Sequence, residues 1–522
     1  MILGHEWTNQ CGAGKMKKKA RLVSVSFPGR DLSLGVVGLK QYAALDPAID
    51  ASWSIGISQF FLDTPDGEMA KKLKEFDADL YAFSAYVWNV EKILAAAKAL
   101  KAWSPNKLVV LGGPEASGMA ERLLREHDCV DCVVKGDGEL AFRELLKGSE
   151  LPEVPNLVYR SGGEVHSNPE RQCESLDELP LPYESEDYRA YLDGSEGTVR
   201  AAIETSRGCP FDCAYCSWGR KRMRYFSLEK LRPAFEYLFK HPKVATVYIT
   251  DSNPFLQKKR AKELLAMLME LNTDKKPVTF ELNPEYMEDE GLLKLISMIN
   301  SEEFAFGVQS TSPRVLEKIG RDFDGERYRR NIALMRRTNP RIQMWFSLII
   351  GLPGDDYAQY TDSLDYVLRL KPDGIYMHEL LCLPGSKFYD NPAEYGIEYE
   401  RDPPHKIVSN ESFPQDQYER AKWLSYNVSL IHRVPALRDR LFELNEGDGA
   451  KRLVDTYEDF VNYMESRLDT LSGRRREDVT SWFFEQYAKE FLAQGNNQAT
   501  LEGLAESFCG GLEKTEAVCH AL

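Results

Sequence analysis

The chain is short of basic side chains, long apolar runs and any recognisable targeting segment. Its 522 residues carry 66 Lys and Arg against 81 Asp and Glu, a formal net charge of −15. Because nucleic-acid backbones attract clustered basic residues, this balance argues against nucleic acid as the main partner. No apolar run approaches the roughly 20 residues needed to cross a bilayer, and the first residues lack the apolar stretch of a signal peptide. The sequence therefore predicts a cytoplasmic protein that needs no membrane.

A dense cysteine pattern is also missing, which excludes a disulfide-stapled scaffold. Of the ten cysteines, Cys209, Cys213 and Cys216 lie together with the spacing C-x3-C-x2-C. Thiolates are the natural ligands of iron–sulfur clusters, and short spacing lets one loop hold one cluster. No fourth Cys or His lies near enough in sequence to close a structural zinc site. Three thiolates for four irons leave one iron open for chemistry, so these cysteines are the predicted metal ligands and catalytic centre.

Short apolar runs alternate with amphipathic helical stretches twice along the chain. From about 20 to 148 they predict a parallel sheet with helices on both sides, a Rossmann-like α/β domain. From about 200 to 400, six strand–helix repeats predict a partial (β/α)6 barrel of TIM type. A turn-rich segment with a small hairpin near Ser161–Glu164 separates them, and helical periodicity dominates beyond about Pro403. The predicted domains are a leader at 1–19, the first sheet at 20–150, a linker at 151–195, the barrel at 196–402 and a helical region at 403–522.

Ligands of open parallel sheets bind beyond the carboxyl ends of the strands. The candidate contacts of the first sheet are therefore the loops Pro28–Arg30, Ser84–Asn89, Gly112–Ser117 and Gly136–Gly138. The basic run Arg220, Lys221, Arg222 and Arg224 is instead expected to be a solvated face.

The cysteine segment resembles the signature of the radical S-adenosylmethionine superfamily, C-x3-C-x-aromatic-C, with Tyr215 in the aromatic position. That resemblance implies a [4Fe–4S] cluster whose open iron chelates S-adenosylmethionine. Reductive cleavage of the bound molecule would then yield a 5′-deoxyadenosyl radical.

Further segments of the barrel are similar to the family's S-adenosylmethionine contacts. They imply that Asp251 and Ser252 lie in the loop that receives the methionine amino group, that Glu281 reaches the ribose and that Gln309 approaches the nucleoside. Four places before Gly-Leu-Pro, where many relatives are acidic, this chain has Ser347. We include Ser347 among the contacts, and ribose recognition then rests on Glu281 and Gln309 or differs in mode.

The order of an N-terminal sheet, the connector LPLPY and such a barrel resembles the cobalamin-binding branch of that superfamily, over about residues 20 to 400. The segments LGGPEAS (111–117) and VKGDGE (134–139) match its G-G-P-x-x-S and G-E-G-E loops. They imply cobalamin contacts from Gly112, Gly113, Pro114, Ser117, Gly136 and Gly138.

The first domain has no D-x-H-x-x-G motif, and its only histidine, His127, lies at the end of a helix. A histidine ligand to cobalt is therefore not expected, and Tyr86 or Trp88 is predicted to meet the lower face instead. The alternatives are that both rings only pack under the first helix, or that the domain has lost cobalamin.

These resemblances imply a cobalamin-dependent radical C-methyltransferase that acts on an unactivated carbon of a peptide or small-molecule natural-product precursor. Its electron donor would be a flavodoxin or ferredoxin. The alternatives are a radical cyclase, ring-contracting or oxidative enzyme, a non-radical methyl transfer, and a cobalamin-binding sensor without turnover. The intact cysteine triad argues against a sensor, which needs no open iron. From its position alone, the C-terminal helical region is expected to close the barrel mouth.

Overall fold

The structure is a computed structural model that describes residues 17–468, apart from 29–31, 219–220, 285–286, 302, 433–434 and 448–450. Most of the predicted leader, most of the loop Pro28–Arg30 and residues 469–522 of the predicted helical region lie outside the described residues. None of the helices in these ranges is both long and apolar enough to cross a membrane.

A seven-stranded sheet with helices on both faces forms the first domain. Its strands are β1 (Lys18–Ser26), β2 (Trp53–Phe61), β3 (Leu80–Ser84), β4 (Leu108–Gly112), β5 (Cys132–Val134), β6 (Leu157–Ser161) and β7 (Glu164–Ser167). Its helices are α1 (Leu34–Ala44), α2 (Pro47–Ser52), α3 (Asp66–Phe76), α4 (Val90–Trp103), α5 (Pro114–Gly118), α6 (Ala120–Glu126) and α7 (Glu139–Lys147). The strand order is β2-β1-β3-β4-β5-β6-β7, and the first five strands are parallel.

The predicted parallel strands are confirmed, and the reason for their apolar character is visible. Val110 of β4 packs with α1 and α7, whereas its neighbours Val109 and Leu111 pack with α4 and α6 on the opposite face. Strands covered on both faces read as continuous apolar runs. Because the strand order reverses between β1 and β3, the loops after those two strands flank the crevice where ligands of such sheets bind.

The hairpin predicted near Ser161–Glu164 forms, but it belongs to the first sheet. β6 pairs antiparallel with β5, and Val158, opposite Val133, is fully buried. The chain as far as Ser167 is thus part of the sheet and not the linker expected from 151 onward. The connector that follows contains 3-10 turns and α8 (Glu186–Gly194).

The second half contains a six-stranded, open parallel sheet, as the sequence predicts. Its strands and the adjoining hairpin are β8 (Val199–Ile203), β9 (Ser206–Cys209), β10 (Lys221–Tyr225), β11 (Val244–Ile249), β12 (Val278–Leu282), β13 (Phe304–Gln309), β14 (Met344–Ile350) and β15 (Gly374–Glu379). The sheet order is β15-β14-β13-β12-β11-β8. The intervening helices are α9 (Leu228–Lys240), α10 (Lys258–Leu271), α11 (Glu290–Ser297), α12 (Pro313–Ile319), α13 (Gly325–Thr338) and α14 (Tyr357–Arg369).

Side chains alternate across this sheet, so that one face makes the core and the other lines the barrel lumen. Phe280, Phe306 and Phe346 are buried on the core face, and their neighbours Glu281 and Ser347 point to the other side. Polar residues on these strands are therefore lumen residues.

Two hairpins were not predicted. β9 and β10 flank the cysteine loop, so Arg222 and Arg224 of the basic run belong to a strand, and Arg224 is not the solvated side chain expected. The second lies after α15 (Lys387–Asp390), where β16 (Ile397–Tyr399) pairs with β17 (Ile407–Asn410). The prediction that only helices follow Pro403 is therefore wrong for β17.

Three helices follow, as the helical periodicity beyond about Pro403 predicts. They are α16 (Gln415–His432), α17 (Pro435–Gly447) and α18 (Leu453–Leu468). α16 packs against β15 and α14, with Ser429 Oγ donating to the Ile375 carbonyl (3.2 Å). The helices thus cover the outside of the last barrel strands.

Candidate active site

The three cysteines lie on one loop, and backbone hydrogen bonds anchor this loop to the barrel domain. Cys209 ends β9, and all three cysteines are partly exposed and form no disulfide with another described residue. Between them, Ala214 is buried, its N–H donates to the Ile319 carbonyl (2.9 Å), and its carbonyl accepts from the Phe388 N–H (3.2 Å). This anchoring holds the loop shape without using the sulfur atoms.

The donor set fits a cluster. Among the described residues, no three His, Cys, Asp or Glu side chains converge where a single ion could bind. An iron–sulfur cluster takes each thiolate on a different iron, so its ligands stand apart. Cys209, Cys213 and Cys216 would hold such a cluster, with the fourth iron left for substrate chemistry.

Asp251 supports the cluster loop from below. Its Oδ1 accepts from the Thr205 N–H (2.7 Å), and its Oδ2 accepts from the hydroxyls of Thr205 and Ser206 (2.5 Å each). Ser252 Oγ donates to the Gly208 carbonyl (2.8 Å). Burial raises the pKa of Asp251, and these donors oppose the shift. Both oxygens of Asp251 therefore bind this chain's own groups, which gives it a positioning role, and its contact to S-adenosylmethionine stays a prediction.

Tyr215 is joined to the barrel strands by Arg321, a residue that the sequence analysis missed. Arg321 Nη1 donates to the Tyr215 hydroxyl (3.3 Å), and Nη2 donates to the Gly307 carbonyl (2.6 Å) and lies 3.4 Å from Asn283 Oδ1. Burial raises the pKa of Tyr215, and Arg321 opposes the shift. The arginine thus connects the cluster loop to the ends of β12 and β13. Its partners come from distant segments, so no local pattern marks it.

The predicted nucleoside contacts share the lumen. Gln309 has a φ of +67°, and its Oε1 is buried without a hydrogen-bond partner among the described residues. A buried carbonyl oxygen without a partner is unfavourable unless a ligand donates to it. Glu281 is open to the lumen, although protein surrounds it closely enough that desolvation, with Glu303, raises the pKa of its carboxyl. Ser347 lies beside Gly307 in the strand register.

The glycine-rich loops of the first sheet come together at its carboxyl edge. Gly113, at φ +97°, approaches Ala85 so closely that a Cβ would lie 2.5 Å from the Ala85 carbonyl oxygen. Ser117 Oγ accepts from the Gly136 N–H (3.1 Å) and so joins the two predicted cobalamin loops. Gly112, Pro114 and Gly138 belong to the same two loops. The predicted contacts therefore form one edge.

An exposed aromatic surface flanks this edge at the switch point. Trp88 stacks on Tyr86 (ring centroids 4.5 Å apart, 11° between planes) and lies 5.9 Å from Phe27. Phe27 and Trp88 are each 45% exposed. Apolar rings left open to solvent at the ligand edge fit the flat face of a corrin, with Trp88 better exposed than Tyr86 for that contact.

Glu204 is a second residue that the sequence analysis missed. It follows β8, and Arg207 Nε donates to both of its carboxylate oxygens (3.0 Å each). Its side chain is 32% exposed, yet burial raises its pKa to about 7, with Arg207 opposing the shift. Glu204 and Tyr86 interact electrostatically, so this carboxyl faces the cleft between the two sheets.

Comparison with known proteins agrees with this geometry. A radical SAM superfamily profile matches residues 203–367, and a B12-binding-domain profile matches residues 50–146. The chain is 28% identical over 480 residues to the cobalamin-dependent radical SAM methyltransferase TokK of Streptomyces tokunonensis, covering 83% of this chain and 68% of TokK. It is 29% identical over 406 residues to 2-(S-pantetheinyl)-carbapenam-3-carboxylate methyltransferase of Streptantibioticus cattleyicolor, covering 73% of this chain and 58% of that protein.

The fold likeness extends over nearly the whole chain. The structure of the cobalamin-dependent S-adenosylmethionine radical enzyme OxsB with aqua-cobalamin bound aligns with a TM-score of 0.68 at 14% identity, covering 96% of this chain and 81% of OxsB. This chain therefore shares with OxsB the fold of each domain and the order of the domains. This chain is a member of the cobalamin-binding branch of the radical S-adenosylmethionine enzymes, with a [4Fe–4S] cluster, S-adenosylmethionine and cobalamin as its cofactors.

Proposed function

We propose that this chain is a C-methyltransferase that acts on an unactivated carbon of a peptide or small-molecule natural-product precursor. The observation that carries the proposal is the approach of the two cofactor edges. Arg207, two residues before the first cluster cysteine, lies 2.9 Å from Glu139, the residue after the Gly136–Gly138 loop. The cluster loop and the cobalamin edge therefore face one cleft, as transfer of a methyl group to a carbon radical requires.

The residues of this cleft have separable tasks. The three cysteines would hold the cluster, and the unpartnered Gln309 Oε1 and the open Glu281 carboxylate would take donors of the nucleoside. Trp88 would present its exposed ring to the corrin. When bound, the cofactors supply a 5′-deoxyadenosyl radical and a cobalt-bound methyl group. The protein binds and orients both and excludes water from the space between them.

Two aspects of the reaction depend on partners outside the chain. An electron donor such as a flavodoxin or ferredoxin would reduce the cluster. The acidic balance of the chain favours a small-molecule or peptide substrate over nucleic acid.

The test is anaerobic reconstitution of the full chain with iron, sulfide and hydroxocobalamin, followed by incubation with S-adenosylmethionine and a chemical reductant. Formation of both S-adenosylhomocysteine and 5′-deoxyadenosine supports the radical methyltransferase. 5′-Deoxyadenosine alone would indicate a cyclase or oxidative enzyme, and S-adenosylhomocysteine alone a non-radical transfer. Neither product, with both cofactors bound, would indicate a sensor. The variant with all three cluster cysteines replaced by alanine is the blank.

A further inference from the structure

Two arginines lie directly opposite each other at the base of the cluster loop. β9 pairs antiparallel with β10, and the register places Arg207 across from Arg224. Like charges directly opposite on neighbouring strands destabilise a hairpin. Because Arg207 is two residues from Cys209, the repulsion acts on the strand that carries the first cluster ligand.

Carboxylates of the cobalamin domain neutralise this pair. Arg207 Nη1 is 2.9 Å from Glu139 Oε1 and 3.5 Å from Asp137 Oδ2, and Arg224 Nη2 is 2.5 Å from the same Asp137 oxygen. Burial disfavours the charge on Arg207, but Glu204, Glu139 and Asp137 together raise its pKa. The charge of the cluster hairpin is thus balanced by Glu204 of its own domain and by Glu139 and Asp137 of the other domain.

The contact is screened from solvent, unlike ordinary surface ion pairs. The side chains of Glu139 and Arg224 are 9% and 11% exposed, and those of Arg207 and Asp137 are 22% and 23% exposed. By contrast, Arg232 and Glu270 form an equally close pair (2.8 Å) between α9 and α10 with 43% and 62% of their side chains exposed. Exposed pairs contribute little, whereas breaking a desolvated pair leaves a costly unpaired charge.

We propose that Arg207, Arg224, Asp137 and Glu139, which we name the arginine clasp, couple cobalamin binding to the cluster loop, with Arg207 as the positioning residue. The clasp joins the loop predicted to contact cobalamin to the strand that ends in Cys209. Ordering either loop therefore orders the other. Coupling between two sites is reciprocal, so the cluster raises the affinity for cobalamin, and cobalamin stabilises the cluster to the same extent. The proposal rests on the two cofactors and not on methyl transfer.

The test measures hydroxocobalamin affinity of the full chain, anaerobically, with the cluster in place and after its removal by a chelator. In the parent chain we expect the cluster to tighten cobalamin binding about tenfold, within the range of typical coupling. In Arg207→Gln the two affinities should become equal. Arg207→Lys keeps the charge but loses the planar fork, so it should restore only part of the difference. Arg232→Gln, which breaks the exposed pair, is the matched control and should keep the full difference.

Spectroscopy adds a readout that a general loss of stability would not move. Cobalamin should alter the electron paramagnetic resonance spectrum of the reduced cluster in the parent chain and in Arg232→Gln, but not in Arg207→Gln. The same titrations apply to Glu139→Gln, which removes the closest carboxylate from the other domain and keeps the side-chain shape.

Equal cobalamin affinities with and without the cluster in the parent chain would overturn the proposal. Full coupling in Arg207→Gln would do the same. Should that variant fail to fold, full coupling in Glu139→Gln decides against the clasp and lost coupling supports it. Because no product is measured, a chain that couples its two cofactors yet methylates nothing would contradict the proposed function alone.

Discussion

At the scale of single residues, polar side chains near the cleft divide into those used by the fold and those left for ligands. Both carboxylate oxygens of Asp251 accept hydrogen bonds from Thr205 or Ser206. By contrast, the buried Oε1 of Gln309 has no hydrogen-bond partner among the described residues. Asp251 and Gln309 were both predicted as cofactor contacts from the family resemblance, but their hydrogen-bond partners give them different roles.

The cluster cysteines give the first prediction. Cys213→Ala should lose nearly all reconstituted iron, because two thiolates cannot hold a cluster that needs three. The control is Cys382→Ala, since Cys382 is fully buried in the apolar cluster that includes Ala214 of the same loop. It should lose packing stability but keep its iron. Iron and sulfide per chain after desalting measure both variants. A normal iron content in Cys213→Ala would show that this loop does not hold the cluster.

Glu204 gives a prediction about pH. Burial raises its pKa to about 7 in the native state, against about 4.3 in an unfolded chain. Its contribution to stability is therefore complete below the unfolded pKa and is lost as pH rises through about 7. Glu204→Gln removes this loss, so its thermal midpoint relative to the parent should rise between pH 5 and pH 8.

The size of that rise is limited by solvent. A third of the Glu204 side chain is exposed, so we expect about 1 kcal/mol and not the full value of the shift. The measurement is thermal unfolding of the cofactor-free chain at several pH values. If the difference in thermal midpoint between variant and parent stayed constant from pH 5 to pH 8, the raised pKa of Glu204 would be contradicted.

At the scale of elements, the segment after β15 docks the two domains. His405 Nε2 lies 2.8 Å from Glu115 Oε1 of α5, and the two side chains are 0% and 2% exposed. Arg122 of α6 donates to the Arg401 carbonyl (2.7 Å), and Lys387 Nζ lies 2.6 Å from Asp212 Oδ2 of the cluster loop. This segment therefore touches both the cobalamin domain and the cluster loop.

His405→Ala should lower the stability by about 3 kcal/mol, because it leaves Glu115 buried without its partner. The thermal midpoint of the cofactor-free chain measures the loss. His166→Ala, on the exposed strand β7, is the control and should change stability by about 0.5 kcal/mol or less. If both histidine variants had the same thermal midpoint as the parent, the contact between His405 and Glu115 would contribute nothing to stability.

The elements also show what the sequence could and could not predict. Strands such as β4 and β14 were predictable because helices cover their outer faces and their sequences are apolar runs. β10 was not, because KRMRY is rich in charge, and its Arg224 pairs with Asp137 of another domain. The cysteine loop was found from sequence because its ligands are local. Arg321 and Glu204 were missed because their partners come from separate segments or their burial depends on the assembled cleft.

At the scale of the whole molecule, the C-terminal helices complete the barrel. Val428 and Ile431 of α16 and Tyr457 of α18 are fully buried. The Tyr360 hydroxyl of α14 lies 2.6 Å from Ser425 Oγ, in a pair where either can donate. These contacts close the outer layer over β14 and β15, which a barrel of six strands does not close by itself. These helices therefore have a packing role, and the expectation that the C-terminal region closes the barrel mouth stays a prediction.

A chain that ends at residue 413 tests this role. If the helices only closed the barrel mouth, such a truncation would lose substrate turnover and keep its cluster. The structure predicts that it loses both, because removing α16 exposes the apolar outer faces of β14 and β15, and the cluster loop rests on Ile349 of β14 through their shared apolar cluster. Soluble yield, circular dichroism and iron per chain measure the outcome. Since the first sheet has an apolar core of its own on one face, part of the α/β signal should survive while the iron is lost. A soluble truncated chain with normal iron would show that the barrel folds without these helices.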